Sequence, residues 1–267
     1  MPKKYELTSE TLNYWGRTLY RIRALKDFGD VKAGDLGGWI EKEANLSHEG
    51  GCWVGEEGKV YDNGLVFGNG RVYGNGQVYG YGRVYDNGRV FDNGLVFDNG
   101  RVFGYGQVFD DGRVYDNGLV YGYGRVYGYG RVYGSVWISS GNTDFDVKKN
   151  IRGLIQNSTN LSFIGDKLIA YKVVKQISKN VFVSLHDPKF KYTKFKYSEV
   201  KDFNPNWDES CTSGIHVSNF NYWTSNKPIG KEYVYIAVEV NIKDVITCQE
   251  GKIRCKKVKT LGVCATE

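Results

Sequence analysis

The chain has 267 residues, a formal charge of +6, and 35 glycines beside 21 tyrosines and 13 phenylalanines. Glycine-rich disordered chains are poor in aromatics, so this composition excludes a flexible low-complexity protein and points to an ordered array. Net charge is −2 over residues 1–58, zero over 59–144 and +8 over 145–267, so a surface for phosphate-bearing partners is expected only in the last stretch.

Residues 1–53 read as an N-terminal cap with the first imperfect coils of a repeat. Thr18-Leu19-Tyr20-Arg21-Ile22-Arg23-Ala24-Leu25 alternates as a strand, and Ala33 to Ile40 leads into the array. The opening Met1-Pro2-Lys3-Lys4-Tyr5 has no apolar run behind its lysines, so no secretory signal is expected. No stretch approaches the roughly 18 apolar residues of a membrane span. Five widely spaced cysteines without a Cys-x-x-Cys pair fit reduced thiols and a cytoplasmic location.

From Val54 to Ile138 an aliphatic residue recurs at every sixth position, giving 15 anchors. The unit reads aliphatic, aromatic, Gly or Asp, Asn or Tyr, small, variable, as in Val60-Tyr61-Asp62-Asn63-Gly64-Leu65. Strand alternation points the valine inward and the aromatic outward, and the small residue turns inward again. Asp62-Asn63 or Gly68-Asn69 then form a corner, since Asn and Gly tolerate positive φ. Residues 54–143 are thus expected to stack as a parallel β-solenoid. Three units per coil would make it roughly 24 Å long and two roughly 36 Å, at about 4.8 Å per coil. An antiparallel meander on Asn-Gly turns is the rival, but it leaves the valines nothing to pack against.

Val66 with Gly70, and Val132 with Val136, follow a rule of an aliphatic residue with a small one four places on. This pattern resembles the hexapeptide repeat of left-handed parallel β-helices, which implies a mainly β fold with three units per coil. The near-constant glycine departs from that family and implies a thinner core. The stretch Ala24 to Gly34, ALKDFGDVKAG, with Gly37-Gly38-Trp39, resembles the opening of YdcK-like bacterial solenoids, also met in phage and prophage repeat proteins. That resemblance implies a structural or interaction protein in the host cytoplasm, directed at a host component such as a defence protein that it blocks or sequesters. Hexapeptide-repeat acyltransferases and related carbonic anhydrases work through histidines on or between coils, whereas residues 54–143 contain neither His nor Cys. The array is therefore expected to be non-enzymatic.

Residues 144–160 read as a linker, with a turn at Asn157-Ser158-Thr159-Asn160, and residues 161–267 as a separate α+β domain. Its expected strands are Lys167–Val174, Val181–Leu185, Tyr233–Val240 and Lys256–Val263, with a short helix opening at Ser198–Lys201.

Three surfaces are candidate sites. On the array, Tyr61, Tyr79, Phe97, Tyr115 and Tyr133 form one vertical ladder, and Arg71, Arg89 and Arg125 run up another face with Gln107 in their row. Exposed aromatics and arginines suit self-association into a homo-oligomer or a protein partner, or they stabilise the array by stacking. In the last domain, Cys211-Thr212-Ser213-Gly214-Ile215-His216, followed by Tyr222-Trp223, resembles the Gly-x-Gly-Ile-Tyr stretch of ADP-ribosyltransferases of the poly(ADP-ribose) polymerase type. Only Gly214-Ile215 match, with His216 where that family has Tyr and Tyr171-Lys172 where it has His-Gly. The resemblance implies a degenerate nucleotide or small-ligand pocket around Tyr171, Gly214, Ile215, His216, Tyr222 and Trp223. The third surface is basic: Lys189, Lys191, Lys194 and Lys196 interleave with aromatics, and Lys256 and Lys257 form a second cluster. Nucleic acid, if bound at all, belongs there. The cysteine and histidine spacings match no zinc pattern, and neither metal nor cofactor is expected.

Overall fold

The computed structural model describes residues 2–226, 228 and 232–266, and the chain divides into two compact units, Met1–Asn150 and Ile151–Glu267.

In the first unit each variable residue and its valine form a two-residue rung, as in Lys59–Val60 and Gln77–Val78. Rungs pair in parallel with those of the next coil. Val60 lies beside Val78, then Val96, Val114 and Val132. Two further sheets carry the units between, so three units close one coil. The antiparallel meander and the two-unit coil are both ruled out. Leu36–Ile40, Leu46 and Trp53–Val54 pair with the first periodic rungs, adding an imperfect coil that brings the solenoid to about six turns. Every anchor from Val54 to Ile138 is at most 1% exposed. Burial of such side chains, at about 1.5–3 kcal/mol each, is the main attraction holding the coils together.

Glycine at the fifth position answers to the neighbouring coil more than to the width of the tube. A Cβ on Gly64 would lie 2.5 Å from the Val78 carbonyl oxygen, and one on Gly94 would lie 2.5 Å from that of Val108. That carbonyl accepts the inter-coil bond from the aromatic residue, 3.1 Å for Tyr61 to Val78, so it cannot withdraw. At the corners, the third-position residue takes the left-handed conformation: Asp62, Asp98 and Asp116 have φ of 55°, 49° and 51°. The following Asn does not, which corrects the expectation for Asn and bears out the one for Gly, as at Gly68 with φ of 61°. Asp and Gly are the residues that reach this region at low cost while turning the chain.

The N-terminal cap is a hairpin of Tyr5–Tyr14 and Arg17–Ala24 that extends one solenoid sheet through Leu36–Ile40. Its tip, Trp15-Gly16, has positive φ at both residues, the requirement of a tight two-residue hairpin turn. The buried Lys4 ammonium ties the cap down by donating to the carbonyls of Cys52 at 2.8 Å, Gly50 at 3.3 Å and Glu49 at 3.5 Å. At the far end, Asn142–Thr143 pairs with Arg125–Val126 within the expected array, and Asp146, expected in the linker, still bridges Arg131 of the last coil.

The second unit opens with helix α1, Ile151–Thr159, where the sequence suggested the rest of a linker. Its Leu154 and Ile155 are buried, and the helix packs against the strand Val245–Gln249. The main sheet orders Lys191–Thr193, Val181–Ser184, Lys167–Ser178, Val234–Asn241, Lys257–Thr266 and Tyr197–Glu199, all antiparallel. Ser198–Lys201 does not open a helix: Ser198 is buried within an edge strand and its hydroxyl donates to the Lys191 carbonyl at 2.9 Å. A smaller sheet holds Ile215–Val217, Lys252–Cys255 and Val245–Gln249.

The two roles of glycine separate by mutation. Gly94→Ala forces a methyl group against backbone and is expected to destabilise the first unit by about 3 kcal/mol. Gly128 has open space and φ of 55°, so Gly128→Ala should cost only about 1 kcal/mol, and Gly128→Asp about zero. Denaturant unfolding followed by tyrosine signal ranks the three; equal losses for Gly94→Ala and Gly128→Ala would contradict the stacking account.

Candidate functional site

The outer rings of the solenoid are largely occupied by one another. Tyr61, Tyr79, Phe97, Tyr115 and Tyr133 stack at centroid separations of 5.0, 5.1, 4.9 and 5.0 Å, with near-parallel planes. The other two faces carry equivalent stacks, such as Phe67–Tyr85 at 4.8 Å and Tyr73–Phe91 at 5.0 Å. Each such pair contributes about 0.5–1.5 kcal/mol beyond burial. The ladder is not a uniformly outward surface. Tyr61 is only 7% exposed, because Tyr14 packs edge-on at 5.7 Å and Arg17 lies over the ring. Tyr133 donates to Asp146 at 2.9 Å. Between these ends, Tyr79, Phe97 and Tyr115 are half-buried and present edges rather than faces.

Arg71, Arg89 and Arg125 stand in one row with Gln107, as the spacing implies. Arg71 is held by Asp30 of the cap loop, whereas Arg89 and Arg125 are exposed. The freely exposed rings are at the corners, which sequence reasoning passed over. Tyr81, Tyr105, Tyr123 and Tyr129 are 58, 54, 73 and 81% exposed, and Tyr105 stacks on Tyr123 at 5.4 Å. The signal was present: these are the fourth-position sites where Tyr replaces Asn, and the fourth position is the corner.

In the second unit a cavity of about 610 Å³ is lined by Lys172, Tyr192, His216, Tyr222, Trp223 and Lys252, among others. Strand alternation places Lys172 on the same side as Leu168, Ala170 and Val174, an otherwise apolar column. Its ammonium is buried, donates to the His216 carbonyl at 3.0 Å, and lies 5.8 Å from the Tyr192 ring centroid and 5.9 Å from that of Trp223. Burial lowers its pKa to about 8. The same alternation sends Tyr171 to the opposite side, against Phe220 at 5.5 Å. Tyr171 therefore stays outside the cavity lining, while its carbonyl accepts from the Trp223 indole at 2.7 Å and fixes that ring.

Gly214, Ile215, His216, Tyr222 and Trp223 do converge on the cavity. Gly214 has φ of 154°, and a Cβ there would meet the Arg254 side chain at 2.8 Å. The buried Arg254 guanidinium in turn donates to the carbonyls of Asn204 at 2.6 Å, Ser213 at 3.3 Å and Asn206, pinning the loop that precedes Gly214. His216 Nε2 lies 3.0 Å from the Ser210 carbonyl oxygen, so it is the protonated nitrogen. Burial, with Lys172 nearby, pushes the imidazole down to about 4. Lys252 Nζ lies 2.8 Å from Cys211 Sγ and 3.3 Å from Glu250.

The basic surface divides in two. Lys189, Lys191, Lys194 and Lys196 are exposed, but Lys256 and Lys257 pair with Asp244 at 3.9 Å and Glu199 at 3.0 Å. Among the described residues no group of three or more His, Cys, Asp or Glu is placed to hold a metal ion, and no helix is long and apolar enough to cross a membrane.

No family model matches the chain. Over 42 residues the chain is 45% identical to the Escherichia coli (strain K12) protein named "Uncharacterized acetyltransferase YdcK". The match takes in 16% of this chain and 13% of that protein's length.

Lys172 makes a testable imprint on stability. With its folded pKa lowered to about 8, the unfolded state binds more protons from there up to the ordinary lysine range. The cost of burying the charge is thus fully present below pH 8 and fades as pH rises toward 10.5. Lys172→Met should stabilise the second unit by up to about 3 kcal/mol at pH 7, an advantage that shrinks through this window. Comparing the two proteins by denaturant unfolding at each pH cancels the other titrating groups; a pH-independent difference would contradict the assignment.

Proposed function

We propose that this chain is a non-enzymatic structural and interaction protein whose rigid solenoid joins to a second copy through its exposed aromatic corner. The observation that carries this reading is the Tyr105–Tyr123 pair, two exposed corner rings stacked on each other beside faces whose rings are stacked and largely half-buried. Repetition supports it too: three sheets in constant register give a regular surface, which suits spacing and docking.

The array has no histidine or cysteine between residues 54 and 143. The nearest histidine, His48, is committed to the cap: Nδ1 accepts from the Lys4 amide at 3.1 Å, Nε2 lies 2.6 Å from Glu43, and the ring stacks on Tyr5 at 4.4 Å. These facts weigh against acyl transfer on the solenoid, the activity in the printed name of the short match. The resemblance to phage-carried repeat proteins extends the proposal to the cytoplasm of a host, with a defence component as the protein that the rod blocks or sequesters.

Light scattering on the wild type beside a Tyr105→Ser/Tyr123→Ser double variant tests the association. A wild-type dimer or larger assembly that becomes monomeric in the variant, with unchanged unfolding temperature, is the expected result. Two monomers would overturn it, as would steady release of free thiol from acetyl-CoA by the purified protein.

A further inference from the structure

We propose that the cavity of the second unit binds a small organic anion carrying a flat ring, with Lys172 as its counter-charge and Trp223 and Tyr192 as walls. This does not rest on the association of the solenoid. Two lysines among the described residues are buried to more than nine-tenths, Lys4 and Lys172, at 1% and 7% exposure. Lys4 is satisfied by three carbonyls and by Cys52 Sγ at 3.1 Å. Lys172 has one carbonyl acceptor for its three N–H bonds, and no carboxylate pairs with it among the described residues.

Removing an ammonium from water costs several kcal/mol unless a partner repays the loss of hydration. The two rings near Lys172 stabilise a cation through their faces without neutralising it. The charge therefore retains donors and an unmatched field, and it opens onto a cavity of about 610 Å³, within the range of sites that enclose a mononucleotide-sized molecule. A cationic ligand would meet Lys172 directly. A neutral apolar one would fill the space and leave the remaining N–H donors without partners. An anion supplies what is missing, and Tyr192, Tyr222 and Trp223 supply flat apolar walls for a ring attached to it.

Lys252 and Asp187 are the other Lys and Asp side chains of the lining. Lys252 is held between Cys211 and Glu250, and the exposed Asp187 carboxylate accepts from the Lys189 amide at 3.0 Å. The neutral His216 ring adds no competing charge. Lys172 is thus the cation left for a ligand.

Calorimetric titration of the full chain with AMP, salicylate, adenosine and inorganic phosphate tests this. Expected is saturable binding of AMP or salicylate, at least tenfold tighter than adenosine or phosphate, because only the former two join ring and anion. Lys172→Met should weaken that binding at least tenfold, and Lys194→Ala, at an exposed lysine outside the lining, less than threefold. Binding that Lys172→Met leaves unchanged, or no heat from AMP and salicylate at millimolar concentration, would overturn the proposal. Should the Lys172 variant fail to fold, reductive methylation of the wild type decides the question. Protection of Lys172 by the bound probe, read by mass spectrometry, is expected; equal labelling with and without it counts against the site.

Discussion

The solenoid depends on one close approach: the backbone of each coil lies against the fifth-position residue of the coil before it, where only a hydrogen atom fits. Gly64 against the Val78 carbonyl and Gly94 against that of Val108 are two instances of a contact repeated along the array. Because the carbonyl is fixed by its inter-coil hydrogen bond, no small adjustment makes room for a methyl group. The same contact sets the separation of the stacked rings outside, about 5 Å from Tyr61 to Tyr79 and onward. Glycine inside and aromatic ladders outside are therefore two consequences of a single spacing.

This spacing also distributes freedom along the unit. The anchor is confined to the dry interior, the small position to hydrogen, and the third position to residues that accept positive φ. Variation survives at the sixth position, which lines the faces, and at the fourth, which stands at the corner. Face rings lend their surfaces to one another, so the side chains the array leaves most exposed are the corner tyrosines and arginines such as Arg89 and Arg125.

The second unit follows the opposite logic. Its main sheet has an ordinary apolar face, and Lys172 interrupts that face where Leu168, Ala170 and Val174 observe it. Arg254, buried on the adjoining small sheet, uses its guanidinium to hold loop carbonyls and so shapes the wall beside Gly214. One buried cation is spent on architecture, and the other faces an open cavity with most of its hydrogen-bonding capacity unused.

Local periodicity was enough to read the solenoid, because every unit repeats the same instructions and errors in one are outvoted by fourteen others. Strand alternation likewise marks Lys167–Val174 and its neighbours, and it places Lys172, not the adjacent Tyr171, on the side of Leu168 and Ala170. The number of units per coil lay beyond the sequence, since two and three satisfy the same period, and only inter-coil pairing at a distance of three units distinguishes them. Ring exposure was likewise a tertiary outcome: Tyr61 and Tyr79 have equivalent places in the repeat, yet the hairpin buries the first. The cavity was still less legible, for it joins residues from Lys172 to Lys252 whose proximity is created by two sheets meeting through the Tyr171–Ser218 bridge. Short-range chemistry writes the repeat; contacts between segments far apart in the chain decide which of its surfaces remain available.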